Sequence, residues 1–264
     1  MKRLEAREGG NMGSENNNKV DQTHVRLFID YPIILDSELP LSDSQSHYLL
    51  RVMRFSPGVK ILIFNGLDGE WSATISDQGK KTLFVIPKEQ LQKQDCNTGP
   101  ILLFSLIKNE RVGFLIEKAC ELGVSELYPV WTKYSQRREI RGERFFRRAI
   151  EAAEQSGRLT VPHIHHVRPL DTLLKSWPSN RNLLFCDESC EVPVKNVLAK
   201  VNKGSWAILI GPEGGFSIDE RQNIQSYSYT LPVSLGPRIL RSETAAIAAL
   251  AIWQVTIGER AGEN

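Results

Sequence analysis

The chain has 264 residues, enough for one large domain or for a large and a small one. Hydrophobic residues make up 41% and charged residues 24%, as in ordinary globular proteins, and the formal charge of +2 excludes a polycation. Contact with nucleic acid must therefore come from a local basic cluster. The sequence shows neither an apolar stretch of membrane-spanning length nor a signal peptide, so we expect a cytoplasmic protein without a membrane partner.

The first third of the chain predicts an extension followed by a small domain. Residues 1–22 are polar, rich in Asn and Gly and without periodicity, which predicts a disordered segment. Residues 23–94 contain short β-like runs separated by turn residues. One helical stretch, SDSQSHYLLRVMR, interrupts them, with Ser42 or Ser44 as its candidate cap. These features predict a small β-barrel with one short helix.

Residues 95–264 predict a second domain of the α/β class. After a polar connector at 88–100, strand-like and helix-like segments alternate to the end of the chain. The predicted strands are ILLFSLI (101–107), ELYPVW (126–131), NLLFCDE (182–188), SWAILIG (205–211) and TLPVSLG (230–236). Such alternation indicates a mostly parallel sheet flanked by helices, in which ligands bind at the carboxyl ends of the strands.

Two helix starts are marked by polar residues. Ser217, with Glu220 three residues later, has the spacing of a capping box. Ser242 is the predicted cap of the last helix, with Glu243 in its first turn and Arg241 immediately before it.

Two strands end in glycine turns, within ILIGPEGGFSIDE (208–220) and SLGPRILRSETAAIAAL (234–250). Both turns would lie at one edge of the sheet, which predicts a pocket between them. Neither phosphate-binding fingerprint is present, Pro212 lacks an N–H donor, and Glu213 would repel an anion. A nucleoside without phosphates, carrying a positive charge, fits better, although such a turn is often only a turn.

Cysteine and histidine spacing does not favour a metal. Cys186 and Cys190 lack the paired spacing of a zinc site, so reduced, partly buried thiols are expected. The stretch VPHIHHV is typical of a strand in which His163 and His165 share a face, and we expect no acidic partner nearby. We therefore predict no metal site.

Several segments of the sequence resemble those of a known family. The two glycine turns, together with HYLLRVMR (47–54), IEKACELGV (116–124) and EAAEQSGR (151–158), closely resemble the bacterial 16S ribosomal RNA uridine N3-methyltransferases of the SPOUT superfamily. The resemblance covers residues from about 24 to 257. It implies a PUA-like barrel, an α/β domain with a C-terminal trefoil knot, a homodimer, and S-adenosylmethionine as cofactor. By motif match, the cofactor would contact Leu209, Gly211, Pro212, Gly215, Leu235, Gly236, Ile239 and Leu240.

The implied chemistry selects two candidate catalytic residues. Methylation of uridine N3 develops negative charge on the base, which a positioned cation would stabilise. Arg241 is the candidate cation, and Glu213 would either act as base or orient that arginine. A purely structural Arg241, paired with Glu213 or Glu243, stays open.

RNA contacts are predicted in three segments, on the small domain's helix, in the basic stretch 132–148 and near the following helix end. The candidates are His47, Arg51, Arg54, Arg137, Arg138, Arg141, Gln155 and Arg158. The competing interpretation is a set of solvated helix faces, with Leu49, Leu50, Val52 and Met53 forming a core face on the first.

Partner and function alternatives follow from the last helix and from the resemblance. TAAIAALAIWQVTI is apolar nearly all round, which favours a homodimer that covers it. The expected substrate is 16S ribosomal RNA or the 30S subunit. The alternatives are a SPOUT methyltransferase acting on another RNA, such as transfer RNA, and a non-catalytic RNA-binding factor in ribosome assembly.

Overall fold

The structure, a computed structural model, describes residues 25–77, 82–95, 98–136, 139, 142–201 and 204–258. The predicted extension at 1–22 lies outside this part of the chain. Within it, every helix is too short or too polar to cross a membrane.

The first unit is a five-stranded sheet in the order β1-β3-β4-β5-β2 among the described residues. Its strands are β1 (Arg26–Phe28), β2 (Leu39–Pro40), β3 (Lys60–Phe64), β4 (Glu70–Asp77) and β5 (Leu83–Gln92). Alternate residues of these strands, such as Leu27, Ile61 and Val85, are buried in one core. The predicted β-rich domain is present, but β5 continues to Gln92, into the predicted connector. β5 extends this far because it pairs with the whole of β4, so that Gln92 lies opposite Glu70, the first residue of β4. Two register shifts occur along this pairing.

The helix of this unit, α1 (Asp43–His47), continues as a π-helical turn, Tyr48–Val52. Ser42 caps it in a capping box with Gln45, which confirms one of the two predicted caps. The expected core face is largely wrong, because only Leu49 of its four residues is fully buried while Leu50 and Val52 are exposed.

The second unit is a parallel sheet in the order β12-β10-β11-β6-β7-β8, with β9 also paired to β7, in the described part of the chain. Its strands are β6 (Ile101–Ser105), β7 (Glu126–Trp131), β8 (His163–Ile164), β9 (Arg168–Pro169), β10 (Asn182–Cys186), β11 (Trp206–Ile210) and β12 (Thr230–Val233). All their pairings are parallel, which confirms the predicted α/β class.

Helices cover both faces of this sheet, which explains why β6 and β11 are apolar without alternation. The helices are α2 (Asn109–Glu121), α3 (Gly142–Ser156), α4 (Leu170–Lys175), α5 (Val194–Leu198), α6 (Ile218–Gln225) and α7 (Ser242–Thr256). One face packs against α2, α3, α5 and α7, and the other against α4 and α6. Helices α4 and α5 were not predicted because they are too short for clear periodicity.

The two units are joined by a small core and by one arginine. Phe28 and Phe64 of the first unit pack with Ala152 and Ala153 of α3. Arg26 donates to the carbonyl oxygens of Ala153, Glu154 and Arg158 at 2.9–3.1 Å and pairs with Glu70 at 2.6 Å. Since the end of α3 carries partial negative charge, Arg26 fixes the first unit against it.

Candidate cofactor cleft

The candidate site lies where three parallel strands end. In the sheet, β10 lies between β11 and β12, with Cys186 opposite both Ile210 and Val233. The two glycine turns are therefore at one edge of the sheet, as predicted, but they are separated by the chain that follows β10. That chain, Asp187 and Glu188, was absent from the predicted site.

A cleft of about 530 Å³, counted to its open mouth, occupies this edge. The lining residues come from all three strand ends and from the start of α7: Cys186, Asp187, Glu188, Ile210, Gly211, Pro212, Gly215, Phe216, Ser234, Leu235, Gly236, Arg238, Leu240, Ser242 and Ala245.

The first turn is tight, and its shape depends on glycine. Gly215 has φ of 66°, a conformation that side chains rarely adopt, and its N–H donates to the carbonyl oxygen of Pro212 at 2.9 Å. A Cβ on Gly215 would collide with Glu188, and one on Gly211 would lie 2.6 Å from the ring of Phe216. The turn therefore packs closely against both of these side chains, which only glycine at the two positions allows.

The second turn leads into α7, whose cap differs from the prediction. Arg241, in an extended conformation, is the N-cap residue, and Ser242 is the first helical residue. The Ser242 hydroxyl does not cap the helix because it donates instead to the carbonyl oxygen of Gly211 at 2.6 Å. This bond ties α7 to the first turn.

Two acidic residues line the cleft, and both form ion pairs with Arg221. Asp187, whose side chain is 1% exposed, lies 3.4 Å from Nε of Arg221, and Glu188 lies 2.7 Å from Nη2 of the same residue. Burial raises the pKa of the neighbouring Cys186 thiol to about 12, so this thiol is uncharged at neutral pH. The only cation lining the cleft is Arg238, within the described residues. The lining therefore combines apolar side chains and backbone with two acids, both paired with Arg221, and one arginine.

The predicted cofactor residues divide into two groups. Six of the eight line the cleft: Gly211, Pro212, Gly215, Leu235, Gly236 and Leu240. Leu209 is fully buried in the core beneath it, and Ile239 is 84% exposed outside it. Three residues that line the cleft were not predicted: Asp187, Glu188 and Arg238. The first two could have been found only from the order of the strands in the sheet.

The two catalytic candidates are not paired with each other. Arg241 is exposed, and its side chain makes no ion pair or hydrogen bond with any residue that the structure describes. Glu213 instead contacts Nη1 of Arg111 at 2.9 Å and accepts from Gln136 at 3.4 Å. Glu243 lies 3.7 Å from Nε of Arg111. Arg111, at the start of α2, therefore pairs with Glu213 and Glu243, the two acids that were the predicted partners of Arg241.

The RNA-binding candidates are dispersed. His47, Arg51 and Arg54 are exposed but do not share a regular helical face, since Tyr48–Val52 form the π-helical turn and Arg54 has φ of 55°. Gln155 is exposed near the end of α3. Arg158 is held inward, donating to the carbonyl oxygens of Cys120 and Val124 at 2.7 and 2.9 Å. Three further candidates lie outside the described residues: Arg137, Arg138 and Arg141.

The histidine cluster has an acidic partner, contrary to expectation. Nε2 of His165 lies 2.7 Å from Glu126, a residue 39 positions away that β7 places beside it. His163 and His165 do share a face, with ring centroids 4.4 Å apart. Burial lowers the pKa of His165. No group of three potential metal ligands occurs among the described residues.

Two known protein families match the sequence. A family described as an RNA methyltransferase domain matches residues 96–254, and one described as an RNA methyltransferase PUA domain matches residues 41–88. The chain belongs to the RNA methyltransferase family. A member from Rickettsia conorii, named Ribosomal RNA small subunit methyltransferase E, is 36% identical over 229 residues, which cover 86% of this chain and 93% of the relative. Its namesake in Buchnera aphidicola subsp. Schizaphis graminum is 30% identical and covers 89% and 97%.

Solved structures of the RNA methyltransferase family have the same fold. Ribosomal RNA small subunit methyltransferase E from Neisseria gonorrhoeae, bound to S-adenosyl methionine, has a TM-score of 0.79 and 26% identity, covering 88% of this chain and 98% of that chain. A Legionella pneumophila methyltransferase in complex with the same cofactor has a TM-score of 0.77 and 29% identity, covering 88% and 97%. The fold is thus the predicted SPOUT-type α/β domain preceded by a PUA domain.

Proposed function

We propose that this protein transfers a methyl group from S-adenosylmethionine to N3 of a specific uridine in 16S ribosomal RNA. The observation that carries the proposal is the cleft that both glycine turns share, in a chain whose relatives are named for small-subunit ribosomal RNA methylation. Two solved structures with this fold hold the same cofactor.

The lining of the cleft fits S-adenosylmethionine. Gly211 and Gly215 line the cleft with backbone atoms alone because neither residue has a side chain, and Leu235 and Leu240 offer apolar walls for an adenosine. Asp187 and Glu188 also line the cleft, and both of their carboxylates pair with Arg221. When bound there, the cofactor supplies an electrophilic methyl group.

The chain's own task is to align the base and to stabilise its charge. N3 of uridine must first give up its proton, to water or to a base, and negative charge then spreads over N3 and the flanking carbonyls. This charge would be neutralised as N3 bonds to the methyl carbon and the carbon–sulfur bond breaks. Arg241 follows Leu240 of the cleft wall, and its guanidinium, free of ion pairs within the described residues, is available to that charge. We propose Arg241 as the catalytic cation.

RNA would be held outside the cleft by basic and polar residues of both domains. The proposed contacts are His47, Arg51, Arg54, Arg137, Arg138, Arg141 and Gln155. Arg158 contributes to the position of the helix end rather than to RNA, because its guanidinium is hydrogen-bonded inward. The proposed domains are 23–94 for the barrel and 95–264 for the methyltransferase.

The proposal also includes a homodimer and a knotted chain. In α7, Ala248, Ala251 and Ile252 are only half-buried and Val255 is 79% exposed, which supports a homodimer that covers this face. We also propose that the chain around the two turns forms the trefoil knot of the superfamily. A ribosomal substrate would place the protein in the cytoplasm.

The test is methylation in vitro followed by nucleoside mass spectrometry. Purified protein and S-adenosylmethionine would be incubated with 16S RNA, with 30S subunits, and with transfer RNA as the control substrate, all from cells lacking the protein. We expect 3-methyluridine only in the small-subunit RNA. Methylation of transfer RNA alone would favour a different activity, that of a SPOUT methyltransferase acting on another RNA. RNA binding without detectable cofactor binding in calorimetry would favour a non-catalytic assembly factor.

A further inference from the structure

Arg111 lies beside the cofactor cleft although it does not line it. It belongs to the first turn of α2, which follows the carboxyl end of β6. Because β6 pairs with β11, with Phe104 opposite Ile210, the start of α2 lies next to the first glycine turn.

The Arg111 guanidinium joins two segments that are distant in sequence. Its Nη1 lies 2.9 Å from Oε1 of Glu213, in the middle of the first turn. Its Nε lies 3.7 Å from Oε1 of Glu243, in the first turn of α7. One cation thus faces two carboxylates, and the side chains of all three residues are at most 31% exposed. The cleft lies between the same two segments, so their separation sets its width.

Loss of Arg111 would leave these two acids without their shared cation. The second oxygen of Glu243, Oε2, is buried and has no hydrogen-bond partner among the described residues. A buried Glu243 carboxylate without a cation is unfavourable, and the neighbouring Glu213 carboxylate adds repulsion. The first turn would then move away from α7, against the hydrogen bond between Ser242 and Gly211.

We propose that Arg111 is a positioning residue for the cofactor, holding the first glycine turn against the start of α7 through Glu213 and Glu243. The inference rests on the proposed function, since the ligand it concerns is S-adenosylmethionine. It assigns Glu213 to the support of the turn rather than to proton abstraction, because the Glu213 carboxylate is shared between Arg111 and Gln136.

The test compares cofactor affinity by calorimetry in three variants and one control. Arg111→Ala keeps a good helix former in α2, and we expect it to weaken S-adenosylmethionine binding by about tenfold. Arg111→Lys, which keeps a charge near Glu213, should lose about threefold. Adding Glu213→Gln and Glu243→Gln to Arg111→Ala should restore affinity to within about threefold, because the repulsion is gone. Lys118→Ala is the control, since Lys118 also contacts two carboxylates of α2, at 2.9 and 2.7 Å, but lies two turns further along the helix.

A second measurement separates positioning from folding and from the proposed function. Hydrogen exchange of residues 211–215 in the ligand-free protein should be faster in Arg111→Ala than in Lys118→Ala, with similar melting temperatures. Equal exchange and equal affinity in the two variants would overturn the proposal, as would a triple variant no better than Arg111→Ala. If Arg111→Ala does not fold, Glu213→Gln alone should still accelerate exchange of the turn, and an unchanged rate would overturn the proposal. A wild-type protein that fails to bind the cofactor would refute the proposed function instead, while the exchange result would still decide the role of Arg111.

Discussion

Ser242 Oγ donates a 2.6 Å hydrogen bond to the carbonyl oxygen of Gly211, 31 positions earlier in the chain. Ser242 is 3% exposed, so water does not compete for this bond. This bond connects the first glycine turn to the start of α7, and both residues line the cleft.

Replacing Ser242 with Ala should lower the free energy of unfolding by about 1 kcal/mol, because the Gly211 carbonyl loses its donor in a buried place. Cofactor affinity should fall as well. Chemical denaturation and calorimetry check both effects. Ser226→Ala is the matched control, since that hydroxyl also donates to a backbone carbonyl, Asn223, at 2.7 Å, but in an exposed, local bond. Equal losses in the two variants would contradict a special role for Ser242.

Gly215→Ala should reduce both stability and cofactor binding. The residue has φ of 66°, which costs an alanine about 1 kcal/mol, and the new Cβ would displace Glu188 from the cleft floor. Thermal melting and calorimetry would measure the two losses. Gly204→Ala offers the comparison, because a Cβ there meets no atom within 4 Å. A Gly215→Ala protein that binds the cofactor normally would show that the turn tolerates another shape.

Arg241→Ala should abolish turnover while changing the affinity for the cofactor by less than about tenfold, as expected of a residue that acts in the transition state. Single-turnover kinetics at saturating cofactor and RNA would measure the methylation step. Arg238→Ala provides the contrast from the same turn, because Arg238 lines the cleft. Since Arg238 belongs to the cleft, that variant should change the affinity for the cofactor and retain the rate at saturation. Methylation by Arg241→Ala at the wild-type rate would exclude a catalytic role.

Reversing Arg137, Arg138 and Arg141 to Glu should weaken RNA binding and reduce its dependence on salt, because fewer counterions are released. Filter binding over a range of salt concentrations gives the slope. The control reverses three exposed lysines of α4, α5 and the residues that follow: Lys175, Lys195 and Lys200. Identical slopes for both triple variants would place the RNA surface elsewhere.

Local features were predictable because the residues that produce them are close in sequence. Ser42 with Gln45 and Ser217 with Glu220 form the capping boxes that their spacing permits. The alternation of strand-like and helix-like segments indicated the parallel sheet, and the apolar runs of β6 and β11 fit strands covered on both faces. The π-helical turn at Tyr48–Val52 was not predictable, because the sequence there has an ordinary helical pattern.

The sequence by itself determined the α/β class and the two glycine turns, since strand alternation and turn residues act within a few positions. Only the tertiary structure decided that β10 lies between β11 and β12, which brings Asp187 and Glu188 into the cleft. It also decided that Glu213 pairs with Arg111, 102 positions away, rather than with Arg241. Such choices depend on the order of the strands in space, and side-chain spacing along the chain carries no information about that order.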